Sequence, residues 1–484
     1  MNVLVIDVGT SSMRGILFCE SGKELDKCQI SYREAYSKAG LVEQGGEVFE
    51  QTLKTIVAKI VSNSGSHEIQ AIAVTAQRSS VMPVDRNGKG LMPFIMWQDT
   101  RNTELCEELA AHNESIAAIS GAKINTVFSG GKMAWIRREH PEIYEKTYKL
   151  INIPEYLLYV MTGEFCIDYT YGSRSNLMNL KEKRWDEQLL KLFGIDKEKL
   201  NRLVSPGTIA GGVNARFAGE TGVKAGIPVI TSGGDQQCAS VGIGAYRNGD
   251  MSVVTGSGGY VTLISSEIPE QLNPNLICNC SAIDGKYSIE ASVLNCCTAF
   301  NWFCRNFYEG MDYEQINQIL EDRYEKEDGV LCLPYFQGRG TPKWNGNARA
   351  AFCNINLSME KHDFLKSLLE GIFLEIKSNI ELLEAYAAVN HVYISGGLTK
   401  SNIMNQMQAD VYGRKLCLSD ESESTAYGAL AVALKSLGVY ASEEEGLEIL
   451  LKRTGNTYYF PDEEKAQKYL KKQEQMNQMY QKIF

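Results

Sequence analysis

Apolar positions along the chain fall into short runs and one long periodic stretch. Residues 1–18 predict a strand, the turn Asp7-Val8-Gly9-Thr10-Ser11-Ser12, then Arg14 inside a second strand. Ala71-Ile72-Ala73-Val74-Thr75 predicts another strand, followed by Ala76-Gln77-Arg78-Ser79. Pro228-Val229-Ile230-Thr231 is a β-rich run of the kind that makes a buried strand. Ser232-Gly233-Gly234 breaks it and delivers Asp235 at the strand's carboxyl end, where open α/β sheets bind ligands. Residues 251–264 repeat the form of residues 3–18: strand, a turn rich in Gly and Ser, strand. Asp363 to Tyr386 predicts an amphipathic helix, because Leu365, Leu368, Leu369, Ile372, Phe373, Ile376, Ile380 and Leu383 follow the 3.6-residue period. His391 to Ser395 predicts a strand, Gly396-Gly397 a turn and Ser401 to Tyr412 a helix. From about Glu443 the chain reads as a charged, solvated helix closing a second domain.

The fold class expected from this alternation is α/β. Two similar hairpins half a chain apart suggest two similarly folded domains with a nucleotide between them, although either Gly-rich hairpin alone is weak evidence. The boundary is expected near Tyr246-Arg247-Asn248-Gly249-Asp250, a polar turn before the second hairpin.

The turns carry candidate chemistry. A Gly-Thr-Ser-Ser turn between apolar strands offers backbone N–H groups and hydroxyls to a phosphate. Asp7 beside it can face a magnesium ion, or simply form the turn. Asp235 can take a hydroxyl proton, or cap a following helix. One carboxylate for a proton and one for a metal is the minimum kit for phosphoryl transfer. Strand, Gly-Gly and helix N-terminus make a natural nucleotide site, and also ordinary turn chemistry.

Composition narrows the function classes. At 484 residues the chain is too long for one ordinary core. A net charge of −10 argues against a nucleic-acid or anionic-membrane partner. No apolar run approaches the ~20 residues that span a bilayer, and the N-terminus starts on a strand without signal-peptide features. The 13 cysteines are an odd, scattered set without paired Cys-x-x-Cys motifs, which suits reduced thiols in a cytoplasmic protein. Cys278-Asn279-Cys280 and Cys296-Cys297 are too close for ordinary disulfides. The five histidines lack metal-ligand spacing, so magnesium is the only metal expected.

In order along the chain, the motifs resemble the FGGY carbohydrate kinases. They are Asp7-Val8-Gly9-Thr10-Ser11-Ser12-Met13-Arg14, Trp97-Gln98-Asp99-Thr100-Arg101, Phe128-Ser129-Gly130-Gly131-Lys132-Met133-Ala134-Trp135, Gly233-Gly234-Asp235-Gln236-Gln237, Thr255-Gly256-Ser257-Gly258, Pro334-Tyr335-Phe336-Gln337-Gly338 and Ser395-Gly396-Gly397. Each is weak alone, and the ordered set is specific. The resemblance covers nearly the whole length. It implies two domains of the actin/hexokinase/Hsp70-like (ribonuclease H-like) fold, residues 1–246 and 247–484, with an interdomain cleft. The first would hold the sugar and the catalytic base, the second most of the adenine-nucleotide site.

The resemblance also implies roles. Asp235 would be the general base, and Asp7 the partner of Mg²⁺. Thr10, Ser11, Ser12 and Arg14, with Thr255, Gly256 and Ser257, would hold the phosphates of ATP. Asn301, Gly396, Gly397, Ser401 and Asn402 would form the adenosine site. Gln77, Arg78, Trp97, Gln236 and Tyr260 would join Asp235 around the substrate. Lys132 is expected to be structural.

Substrate choice departs from the family's branches. The glycerol-kinase branch reads Gln-Arg-Glu where this chain has Gln77-Arg78-Ser79, and it has a tyrosine where this chain has Val127. Xylulose kinases tend to show Met-His near Arg78, and this chain does not. Pro334 to Pro342 lacks the Glu of the sugar-kinase pattern and displaces its Arg to Arg339. The expected reaction is phosphorylation of a ketose, xylulose-like or a deoxyhexulose. Glycerol or another polyol is the alternative, and a non-catalytic sugar sensor or a chaperone-type ATPase the remoter ones. The expected partner is a small sugar or polyol, with a homodimer left open.

Overall fold

The structure, a computed structural model, describes the chain except residues 34, 37–40, 64, 66, 67, 327, 328, 421, 422 and 454. It divides into two compact units. Unit 1 comprises Met1–Tyr246, Ser266–Ser288 and Glu421–Arg453; unit 2 comprises Arg247–Ser265, Ile289–Asp420 and Thr454–Phe484. The chain thus first changes unit at 246/247 and returns twice to unit 1.

The central sheet of unit 1 runs in the spatial order Ile209–Gly212, Pro228–Gly234, Ala71–Ala76, Asn2–Val8, Ser12–Cys19, Glu24–Ser31. The last three form an antiparallel meander, while Asn2–Val8, Ala71–Ala76 and Pro228–Gly234 are parallel neighbours. Successive residues of a strand face opposite sides of a sheet, and here both sides are buried. Leu4, Ile6, Val8, Ile72 and Val74 pack on one side with Phe49, Leu53 and Ile56 of the helix Gly46–Asn63. Val3, Val5, Phe18, Ala71 and Ala73 pack on the other with Ala426, Ala429 and Leu430 of the helix Ser424–Ser436. That two-sided burial is why these strands read as continuous apolar runs.

Unit 2 repeats the plan. Its sheet passes through Tyr287–Val293, Gly259–Ser265, Asp250–Thr255, His391–Gly396, Leu416–Ser419 and Asn456–Tyr459. Asp250–Thr255 pairs antiparallel with Gly259–Ser265 and parallel with His391–Gly396, which is parallel to Leu416–Ser419. The predicted long helix spans Lys361–Leu383 and buries all eight periodic residues. The charged C-terminal stretch is not one helix. Glu443–Leu451 lies in unit 1, Asn456–Tyr459 is an edge strand, and Glu463–Ile483 is the terminal helix of unit 2. Among the described residues no helix is long and apolar enough to cross a membrane.

Candidate active site

In unit 1 two parallel strands end side by side. Ala71–Ala76 leads into Gln77-Arg78-Ser79, and Pro228–Gly234 leads into Asp235. A brace absent from the motif reading fixes both ends. The Tyr171 hydroxyl accepts from the Ala76 N–H at 2.9 Å and donates to the Gly233 carbonyl at 2.8 Å. The Gly234 N–H donates to the Thr170 hydroxyl at 2.8 Å, and Thr170 and Thr231 both donate to buried Asp168. Burial raises the Asp168 carboxyl above its ordinary value. The only local signal for this brace is Asp168 capping the short helix Tyr169–Gly172.

Glycines let the chain turn tightly here. Gly233 sits at φ +103°, where side chains are disfavoured. A Cβ on Gly234 would come within 2.7 Å of Cδ of Arg78. The helix Asp235–Gly242 that follows lies close against Ser424–Ser436: a Cβ on Gly242 would meet the Ser424 carbonyl at 1.8 Å.

Asp235 is the first residue of its helix, whose N-cap is Gly234. Its Oδ1 accepts from the adjacent Gln236 N–H at 2.7 Å and lies 3.6 Å from Nε of Arg78. Burial pushes the carboxyl up to about 6; Arg78, and more weakly Arg174, pull it down, while the charge of Asp7 pushes it further up. Arg174 is itself buried, its guanidinium 4.4 Å from the centre of the Phe128 ring. Gln236 is exposed. Ser79 is fully buried at φ +73°.

The first hairpin turn closes with the Gly9 N–H on the Ser12 carbonyl at 2.9 Å. The Gly9 carbonyl accepts from the Tyr32 hydroxyl at 2.6 Å and from Nε2 of Gln77 at 3.1 Å. Nε1 of Trp97 donates to the Thr10 hydroxyl at 3.1 Å. Thr10, Gln77 and Trp97 therefore meet at one turn. Ser11 is exposed, and the Ser12 hydroxyl accepts from Gln29 at 3.2 Å. Arg14 and Asp7 face each other across the hairpin and form an ion pair at 2.5 Å. Burial nevertheless raises the Asp7 carboxyl above its ordinary value. Glu423, from the last segment of unit 1, binds both Arg14, at 2.9 Å, and Lys27. Buried Lys132 donates to the carbonyls of Trp97, Thr126 and Val127, and burial lowers its ammonium to about 7. It ties the Trp97 loop to the start of the helix Ser129–Glu139.

Unit 2 collects a second set. Thr255 ends its strand opposite Gly396, and its hydroxyl donates to the Ser395 carbonyl at 3.1 Å. Gly396 has φ +105°, and a Cβ there would meet the Thr255 carbonyl at 2.4 Å, so only glycine fits. The Gly256 and Ser257 carbonyls accept from the N–H groups of Cys297 and Cys296, both at 2.9 Å. Ser401 caps the helix Asn402–Tyr412 through the Met404 N–H, and Asn402 accepts from the Tyr459 hydroxyl at 2.7 Å. A 3₁₀ turn, Gly397–Lys400, separates Gly396 from that cap. Asn301 is exposed on the helix Cys297–Phe307. Tyr260 is 46% exposed on Gly259–Ser265. The residues read from sequence thus form two sets, one in each unit.

Comparison with known proteins places the chain in a family. Residues 2–242 match the N-terminal domain of the FGGY family of carbohydrate kinases, and residues 252–437 match its C-terminal domain. The gluconokinase of Bacillus subtilis is 27% identical over 96% of this chain and 93% of its own. Two solved structures superpose with TM-scores of 0.92. One is a xylulose kinase from Lactobacillus acidophilus, 20% identical, covering 100% of this chain and 98% of its own. The other is the glycerol kinase of Plasmodium falciparum with ADP, 25% identical, covering 99% and 98%. With both family domains matched in order, and with a carboxylate at one unit's strand ends and glycine loops at the other's, the chain belongs to the FGGY family of carbohydrate kinases and is an ATP-dependent kinase of small sugars or polyols.

Proposed function

We propose that the enzyme transfers the γ-phosphoryl group of ATP to a terminal hydroxyl of an open-chain sugar larger than glycerol, a xylulose-like pentulose or a deoxyhexulose, with Asp235 as general base. One observation carries the role of Asp235. Its carboxyl stands in the first turn of its helix, accepts from the Gln236 N–H, lies 3.6 Å from Arg78, and is held at about 6 by burial. Such a group is mostly ionised at neutral pH yet takes a proton more readily than an ordinary aspartate. It accepts the hydroxyl proton as that oxygen attacks in line. Gln77, Arg78, Trp97, Gln236 and Tyr260 are the proposed hydroxyl partners. Thr10, Ser11, Ser12, Arg14, Thr255, Gly256 and Ser257 are the proposed phosphate partners. Asn301, Gly396, Gly397, Ser401 and Asn402 are those of adenosine.

Among the described residues no three carboxylates, imidazoles or thiols cluster to hold a metal. Mg²⁺ carried by the triphosphate needs only one or two protein carboxylates, and buried Asp7, paired here with Arg14, is the residue that would hold it. Bound there, Mg²⁺ would neutralise phosphate charge. A cytoplasmic location is part of the same reading, supported by thirteen free thiols.

Substrate size rests on Ser79 and Val127, which stand where the glycerol branch places a carboxylate and a phenol. Both changes remove hydrogen-bonding partners for a three-carbon triol, which is why a longer chain is the proposed substrate. A sugar acid is a second reading, favoured by the charge of Arg174 reaching Asp235 beside Arg78, and by the gluconokinase likeness. A coupled ADP assay over glycerol, xylulose, ribulose, a deoxyhexulose and gluconate decides. A ketose leading in kcat/KM is the expected result. Glycerol leading would overturn the size argument, and gluconate leading would move the assignment to the acid.

A further inference from the structure

Cys296 and Cys297 are adjacent thiols that phosphoryl transfer does not use. Their backbone holds the Thr255–Gly258 loop in place: the Cys296 N–H donates to the Ser257 carbonyl and the Cys297 N–H to the Gly256 carbonyl, each at 2.9 Å. The Cys297 sulfur lies 3.1 Å from the Thr255 carbonyl, and a Cβ on Gly397 would come within 2.8 Å of it. This dipeptide therefore touches both glycine loops of unit 2. Cys296 is fully buried, whereas Cys297 is partly exposed at the start of its helix. The neighbouring Cys296 thiol, with the N–H groups of Leu398 and Gly397, holds the Cys297 thiol below its ordinary value, and thiolate is the reactive form.

We propose that Cys296 and Cys297 form a vicinal dithiol that a hydroperoxide oxidises to a disulfide, and that this releases the Thr255–Gly258 loop and weakens nucleotide binding. The inference rests on reading these loops as the nucleotide site. The Cys297 thiolate attacks one peroxide oxygen, so that an S–O bond forms, the O–O bond breaks and the leaving hydroxide takes up a proton to become water. The Cys296 thiol then attacks the Cys297 sulfur and displaces the oxygen bound to it, which leaves as water with the thiol's proton as the S–S bond closes. Two electrons pass from sulfur to peroxide, and a dithiol reductant reverses the change by exchange. Neighbouring cysteines are too close for an ordinary disulfide, so the bond between them closes a strained eight-membered ring that includes their shared peptide. Forming it rotates the N–H groups that hold Gly256 and Ser257, which is how oxidation would reach the loop.

The test uses the full chain. Hydrogen peroxide is added, free thiols are blocked, and the peptide carrying Cys296–Cys297 is examined by mass spectrometry for the loss of two hydrogens. ADP binding is measured by calorimetry before treatment, after it, and after dithiothreitol. The expected result is that disulfide, ADP affinity weakened about tenfold, the equivalent of one good hydrogen bond, and recovery with dithiothreitol. Cys297→Ser, and separately Cys296→Ser, should bind ADP with or without peroxide. Oxidation confined to the other partly exposed thiols, Cys19, Cys304 and Cys353, overturns the proposal, as does a Cys296–Cys297 disulfide that leaves ADP affinity unchanged. Hydrogen exchange separates the two layers. ADP should slow exchange of the amides of residues 256–258 and 396–398 in Cys297→Ser. If ADP binds without slowing them, the nucleotide-site reading fails and the inference with it. If they slow and peroxide has no effect on the wild type, the inference alone fails.

Discussion

Asp235→Asn should inactivate the enzyme and stabilise its fold. The carboxyl moves from an ordinary 3.8 to about 6 in the folded chain, with burial the largest cause. That difference corresponds to about 3 kcal/mol at ~1.4 kcal/mol per pH unit. The sign follows from proton counts. Between roughly pH 4 and pH 6 the folded chain binds more protons at this site than the unfolded chain, so stability falls as pH rises through that window and stays lower above it. Asparagine does not titrate. The variant should therefore be more stable than wild type above pH 6, by at most about 3 kcal/mol, and the gap should close below about pH 4. The figure is a ceiling, because the side chain is 24% exposed and solvent screens part of the effect. Meanwhile kcat should fall ~10²–10⁴-fold, the usual cost of losing a general base. Urea unfolding of ligand-free protein at pH 8 and pH 4, followed by tryptophan fluorescence, measures the first effect; a coupled ADP assay measures the second. A variant less stable than wild type at pH 8, or a gap equal at both pH values, refutes the electrostatic account. Retention of more than roughly a tenth of wild-type kcat refutes the role as base.

Three further substitutions probe the surroundings. Arg78→Leu removes the cation that opposes the burial of Asp235, so the acid limb of the kcat/KM profile should move from about 6 to about 7 or higher; an unmoved limb means the 3.6 Å contact is electrostatically idle. Asp168→Ala removes the acceptor shared by Thr170 and Thr231 and should cost about 2–4 kcal/mol in urea unfolding, with kcat falling along with it; normal activity would show that the brace does not position Asp235. Ser79→Glu forces a longer, charged side chain into a fully buried position at φ +73° and should lower kcat/KM for the preferred sugar by at least about tenfold; an unchanged value would place Ser79 away from the substrate.

What the sequence made legible was local. Strands such as Asn2–Val8 and Ala71–Ala76 are apolar on both faces, and the helix Lys361–Leu383 carries its own 3.6-residue period, so each can be read within its own window. The twin hairpins were legible for the same reason, since each is one turn between two strands. The return of Ser266–Ser288 and Glu421–Arg453 to unit 1 was not. Ser424–Ser436 is an Ala- and Leu-rich helix that nothing local assigns to either sheet; its packing on Val3, Val5 and Phe18 joins residues some four hundred positions apart. Asn456–Tyr459 was missed because its burial is slight and its ladder with Leu416–Ser419 lies across an intervening helix pair.

The same distinction runs through the site. Asp7, Thr10, Arg78 and Asp235, the residues proposed for the site, lie at or near strand ends of unusual composition, so residue type and spacing single them out. The groups that hold them are ordinary residues made specific only by their partners. Asp168 matters because Thr231, 63 positions on, donates to it, and Tyr171 because its hydroxyl lies between Ala76 and Gly233. Glu423 matters because Arg14, 409 positions away, meets it. None of these pairings leaves a mark in a short window. Buried and well bonded, they carry the cost of holding a carboxylate that burial keeps near 6 rather than 3.8. Function should therefore be as sensitive to the silent members of this network as to the residues that touch substrate, with one difference in kind: losing Asp168 should lower stability and activity together, whereas losing Asp235 should move them in opposite directions.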